Sequence, residues 1–186
     1  MSDISFFHIA SIYPKATEEM IRHVRIHHPN NYYFLGVDGV NTQSYEYLVE
    51  PYKLDYRHFY MKVGGPVGDY GYRLEGTLEF LRRFRQACSL CKTSHIMMME
   101  DDVWIKKPIT IKDEWEMAGW NVKVGNIIPD NIIDSIEEFS GKRPLTNQYG
   151  CGGGSIFKVS TFLENYDKVI EWFKKNHNTF QQQYQP

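Results

Sequence analysis

The chain has 186 residues, 42% of them hydrophobic and 24% charged, the length and composition of one α/β domain that buries its own core. Its 21 basic and 23 acidic residues give a formal charge of −2, which argues against a nucleic-acid binder, because such proteins carry a basic face. No apolar run is long enough to span a membrane and Met1-Ser2-Asp3-Ile4 lacks the basic start of a signal peptide, so a cytoplasmic protein without a membrane span is expected.

Ile4 to Ile12 is apolar and aromatic up to Pro14 and predicts a buried first strand. Lys15 to His28 sets Ala16, Met20, Ile21 and Val24 at helical spacing, and Pro29-Asn30 ends it. Tyr32 to Val37 reads as the second strand, closed by the turn pair Asp38-Gly39. Ser44 to Val49 predicts a short helix and Phe59 to Val63 a third strand. A glycine-rich loop, Gly64 to Gly71, leads into the longest helical pattern, Tyr72 to Leu90, with Leu74, Leu78, Leu81 and Phe84 near period 3.6. Ile96 to Met99 is an uninterrupted apolar strand. Ile109 to Trp120 is ambiguous, Val122 to Ile128 reads as a strand and Ile132 to Phe139 as a helix. A second glycine-rich loop, Gly150 to Gly154, precedes a strand at Ser155 to Val159 and a closing helix at Thr161 to Asn176. The polar end, Gln181 to Pro186, reads as a tail, a linker or the cut end of a longer protein. Strands alternating with helices predict an α/β sandwich on a mostly parallel central sheet, one catalytic domain over residues 1–186.

The chemistry concentrates in His95-Ile-Met-Met-Met-Glu100-Asp101-Asp102-Val103. An apolar run of this kind is a strand buried on both faces, and ligands of open α/β sheets bind beyond the carboxyl ends of such strands. Three adjacent carboxylates repel one another unless a cation neutralises them. Hard divalent ions, Mn²⁺ or Mg²⁺, take carboxylate oxygens and share their shell with substrate phosphates. Elsewhere, Cys88-Ser-Leu-Cys91 has no second pair to complete a zinc site, so reduced thiols are expected. His23, His27 and His28 read as a surface cluster on the first helix. The Gly64 to Gly71 loop has no following Gly-Lys-Ser/Thr and is not a phosphate-binding loop of the Walker type.

An apolar strand followed by Glu100-Asp101-Asp102 and another apolar residue resembles the DXD-type motif of GT-A glycosyltransferases, and the element order fits that fold along most of the chain. The layout is also similar to the small glycosyltransferases of chlorella viruses that act on capsid glycans. The resemblance implies a Rossmann-related GT-A sandwich that transfers a sugar from a nucleotide-sugar donor, UDP-sugar favoured, to a glycan or other hydroxyl acceptor. It implies Asp102 as metal ligand with Glu100 beside it, and Glu100 and Asp101 also facing the ribose or the metal's surroundings. Ala10, Ser11 and Asp38 fall where the family reads the nucleobase. Arg73, in the first turn of the long helix, falls near the nucleotide. Tyr149, Gly152, Gly153 and Gly154 fall at the sugar and acceptor pocket. A general base is sought among Asp130, Asp134, Glu137 and Glu138, with Asp134 the chosen catalytic candidate. His177 is the C-terminal candidate for a last metal ligand.

Two other functions compete. A nucleotidyltransferase or sugar-nucleotide pyrophosphorylase also uses an acidic strand end and a metal, but carries a glycine-rich basic loop after its first strand, where this chain has Ser11-Ile-Tyr-Pro14. A non-catalytic carbohydrate-binding module suits the 15% aromatic content but leaves the three strand-end acids unexplained.

Overall fold

A computed structural model describes residues 4–10, 13–38, 44–59, 74–119, 128–144 and 153–183. Strand β1 (Ile4–Ala10) lies inside the sheet, with Ile4, Phe6 and Ala10 in one core and Phe7 and Ile9 in the other, as the two-residue period of a strand buried on both faces requires. Helix α1 (Pro14–His27) starts on a proline that needs no backbone donor. It buries Thr17, Met20, Ile21 and Val24, one turn apart on one stripe. The chain returns as β2 (Tyr33–Asp38), passes through a 3-10 turn (Glu46–Leu48) and the short α2 (Val49–Tyr52), and forms β3 (Asp55–Phe59). Helix α3 (Leu74–Leu90), on the opposite face, leads to β4 (His95–Met99).

Strands β3, β2, β1 and β4 are parallel neighbours in that order. Beyond β4 lie β6 (Ile156–Lys158), antiparallel to it, and β5 (Met117–Ala118), antiparallel to β6. Helix α4 (Asp130–Ser140) precedes β6, and α5 (Val159–Gln183) follows it. The chain builds outward from β1 to β3, then crosses back to place β4 on the other side of β1. That reversal puts α1 and α3 on opposite faces and opens a crevice at the carboxyl ends of β1 and β4. Phe84 of α3 meets Phe7, Phe157 and Phe162 edge-on at centroid distances of 5.0, 5.3 and 4.6 Å, an aromatic cluster that fastens α3 and α5 to the sheet.

Several expected boundaries shift. The third strand, expected over Phe59–Val63, already runs over Asp55–Phe59, where β2 pairs with it from Phe34–Asp55 to Asp38–Phe59; residues 60–63 lie outside the described residues. An edge strand tolerates polar residues: Tyr32 donates to Asp55 at 2.8 Å and Arg57 pairs with Asp55 at 3.1 Å. The closing helix starts at Val159 and runs to Gln183. Among its described residues the ambiguous stretch contributes β5 alone. Of the expected strand Val122 to Ile128 all but Ile128, and the whole Gly64 to Gly71 loop, lie outside the described residues. Cys88 is buried in α3 and Cys91 follows it, its thiol donating to the Cys88 carbonyl at 3.3 Å; both are free. No helix among the described residues is long and apolar enough to cross a membrane.

After β4 the chain runs irregularly over residues 103–116 along the α1 face. Ile105 is buried, and Val103, Ile109, Ile111 and Trp115 pack on the same core. Two histidines fasten this strap. The Ile109 N–H donates to Nε2 of His28 at 3.1 Å, and Nε2 of His95 donates to the Trp115 carbonyl at 2.7 Å. His28 is therefore not part of a surface cluster: it is 1% exposed, because its ring is needed as an acceptor inside.

Burial, and after it the charges of His27 and Arg25, hold the His28 imidazole below its usual value. The unfolded chain therefore binds this proton first, so the contribution to stability is complete above about pH 6.5 and is lost as pH falls through the folded value. We expect His28→Gln, whose amide oxygen can still accept from Ile109, to lose less melting temperature than the wild type between pH 7.5 and 5. Equal losses in the two proteins would remove His28 as the cause.

Candidate active site

The crevice between the ends of β1 and β4 carries the acidic motif. Glu100, Asp101, Asp102 and Val103 form a turn closed by the Val103 N–H donating to the Glu100 carbonyl at 3.1 Å. Its two central residues diverge. Asp101 is turned inward, where its Oδ1 accepts from His8 Nε2 at 2.8 Å and from Thr17 Oγ1 at 2.7 Å. Asp102 and Glu100 are exposed on the rim.

The rim acids feel each other. Partial covering of the Glu100 carboxyl, and after it the charge of Asp102, push that acid's pKa up, while a hydrogen bond from the Gly153 backbone pulls it down. Uncompensated negative charge of this kind suits a cation. Among the described residues no three His, Cys, Asp or Glu side chains converge on one point; what the rim offers is the carboxylate pair Glu100 and Asp102. That set fits a hard divalent ion whose remaining positions go to water and substrate oxygens.

The second glycine loop meets the same rim. Gly154, at φ +88°, donates its N–H to the Met98 carbonyl at 2.8 Å, and the Met98 N–H donates to the Ser155 carbonyl at 2.8 Å. Gly153 lies against the motif: a Cβ there would stand 2.6 Å from Val103 Cγ2 and 3.0 Å from Glu100 Oε2. Only glycine lets the loop come this close.

Of the other expected residues, Ala10 is fully buried at the end of β1, paired with Val37. Asp38 ends β2 opposite Phe59, and its side chain is outside what is described. Ser11, Arg73, Tyr149 and Gly152 lie outside the described residues. Asp134 stands on α4, 65% exposed and 2.9 Å from Arg143, and His177 is half-buried in α5. Beside the start of α1 is a groove of about 690 Å³ lined by Tyr13, Pro14, Lys15, Glu18, Ser44 and Tyr47. Tyr13 is 67% and Tyr47 50% exposed, and no sequence motif singles out either. His8 and Thr17 likewise stand in no motif, although a histidine in an apolar strand signals a buried partner. In the same interior the Tyr45 hydroxyl is buried without a hydrogen-bond partner among the described residues. Burial and then the charge of Asp101 push its pKa up to about 12.

No family model matches the chain, and no curated protein matches its sequence. Solved structures do. The galactosyltransferase LgtC in complex with donor and acceptor sugar analogs superposes with a TM-score of 0.54 over 94% of this chain, at 11% identity. The Q189E active-site mutant of LgtC gives 0.52 over 92%, at 11% identity. The fold is that of the GT-A glycosyltransferases. The chain spans 65% and 64% of the length of those two structures. A 4-diphosphocytidyl-2C-methyl-D-erythritol synthase, at a TM-score of 0.44 and 10% identity, is too distant to bear on the assignment. The acidic turn follows β4, and the tyrosine groove lies at the start of α1, just after β1.

The packing at Gly153 yields a direct expectation. Gly153→Ala forces a methyl into Val103 and toward Glu100 and should destabilise the protein by about 1–3 kcal/mol in urea melts. An unchanged midpoint would mean that the rim yields freely at this point.

Proposed function

We propose that the chain is a metal-dependent glycosyltransferase that moves a sugar from a nucleoside-diphosphate sugar, a UDP-sugar by preference, to a hydroxyl of a glycan acceptor. The observation that carries this reading is the pair of outward acids, Glu100 and Asp102, on a closed turn at the strand reversal of a GT-A fold. Neither a solvated loop nor a sugar-binding module needs two exposed carboxylates fixed at the end of a buried parallel strand.

In this reading Asp102 and Glu100 hold Mn²⁺ or Mg²⁺ against the donor. The ion would neutralise the diphosphate as the bond to the sugar breaks. The chain's own groups do the rest. The flat faces of Tyr13 and Tyr47 offer a stacking surface for the base, and Ala10, Ser11 and Asp38 are the further base contacts of this reading. A carboxylate at Asp38 accepts from an imide N–H such as that of uracil, which favours uridine. Arg73 would meet the nucleotide. Gly152, Gly153 and Gly154 allow close approach of the sugar, with Tyr149 as a face for it to stack on. As general base, Asp134 would have to exchange its contact with Arg143 for the acceptor hydroxyl.

The test is thermal stabilisation by UDP-sugars with and without Mn²⁺, in the wild type and in Asp102→Asn. Ligand bound to the native state raises the melting temperature. A Mn²⁺-dependent rise in the wild type that is absent from a folded Asp102→Asn supports the proposal. A variant that responds like the wild type removes Asp102 from the metal site. Pyrophosphate release from a nucleoside triphosphate and a sugar phosphate would identify nucleotidyl transfer in place of glycosyl transfer.

A further inference from the structure

The three acids of the motif are not equivalent. Asp101 is 24% exposed at its side chain, whereas its partner His8 is fully buried. His8 lies on β1, directly across from Met99 of β4, so the imidazole reaches the turn from the neighbouring strand. Its other nitrogen, Nδ1, is 2.7 Å from the hydroxyl of Tyr33 on β2. The second donor to Asp101, Thr17, is also fully buried and comes from α1. A strand and a helix thus meet on one carboxylate oxygen, and a second strand backs the imidazole through Tyr33. A carboxylate only accepts, which puts a proton on Nε2 of His8. Burial pushes the Tyr33 phenol well above its usual value, so this hydroxyl keeps its proton and can donate to Nδ1.

We propose that Asp101 is a positioning residue: His8 and Thr17 anchor it inside the protein, and that anchor holds Glu100 and Asp102 outward toward the donor. Asp101 itself contacts neither the metal nor the ribose. The inference rests on the glycosyltransferase reading of the rim and reassigns the middle acid of the motif. The turn has two central residues and one closing hydrogen bond. Drawing the first central side chain into the β1–α1 interior leaves the second pointing away from it. The anchor also explains why three acids can stand in a row. One is answered by donors of the fold, and two remain for a cation. Partners that orient metal-binding side chains from behind typically contribute 10–100-fold to affinity.

The variants separate this role from its rivals. Asparagine at position 101 keeps an oxygen that accepts from both His8 and Thr17, whereas alanine keeps none. Titration of UDP in the presence of Mn²⁺ by calorimetry should give an affinity for Asp101→Asn within about threefold of the wild type. Asp101→Ala should lose about tenfold or more. Thr17→Val removes one donor at nearly constant shape, and its loss should fall between the two. Asp102→Asn, which strikes the rim itself, should lose about a hundredfold or more. In steady-state assays Asp101→Ala should raise KM for the donor more than it lowers kcat, and Asp101→Asn should restore it.

Two results would overturn the proposal. If Asp101→Asn loses binding as severely as Asp102→Asn while its melting temperature in the absence of ligand is unchanged, Asp101 touches the ligand. If Asp101→Ala and Thr17→Val both bind like the wild type, the anchor does not position the rim. A failure of the wider reading shows separately, as an Asp102→Asn that binds normally beside an Asp101→Ala that does not.

Discussion

β1 and β4 are joined side by side from Ile4–His95 to His8–Met99, and the geometry of the rim depends on that pairing. The two strands are far apart in the chain, separated by β2, β3 and two faces' worth of helix. Their parallel contact creates the reversal in strand order at which an open sheet leaves a crevice. It also brings a histidine of β1 within hydrogen-bonding distance of an acid just beyond β4. Without this register His8 would lose Asp101 and keep only Tyr33, and a buried ring nitrogen left without a partner is costly. The polar link and the sheet register therefore support each other.

Three buried histidines carry much of the polar interior on the α1 face. His8 grips the acidic turn, His28 accepts from the strap that follows it, and His95 donates to the far end of that strap. Each satisfies a group that would otherwise be buried without a partner. The strap leaves the acidic turn and is pinned at its middle, Ile109, and its far end, Trp115. Gly153 closes the other side by packing against Val103 and the Glu100 carboxylate. A site that must present two like charges in a fixed pose benefits from such support, because freely moving carboxylates would separate.

Much of this was legible in the residues themselves. The unbroken apolar run before Glu100 announced a doubly buried parallel strand, and the acids after it marked the rim. Both glycine loops stood out, and the second does meet the acids through Gly153. The polar edge strand was misplaced because Asp55, Tyr56 and Arg57 alternate without an apolar face; its position follows from pairing with β2, a tertiary fact. The unequal roles within the acidic triplet were also out of reach. Nothing local in Glu100-Asp101-Asp102 tells that the middle acid turns inward, since its partners lie 93 and 84 residues away. His28 looked like a surface histidine by helical position, but the chain ends α1 just before it and folds Ile109 over its ring.

The most direct test of the central claim, that the turn after β4 is a metal-bound donor site, is a crystal structure with Mn²⁺ and UDP, read from anomalous scattering at the manganese edge. One strong peak is expected within coordination distance of the Asp102 carboxylate, with Glu100 beside it, the diphosphate on its far side and Asp101 still bonded to His8. Ordered UDP with its manganese elsewhere on the protein, or UDP bound away from the β1–β4 crevice, would contradict it.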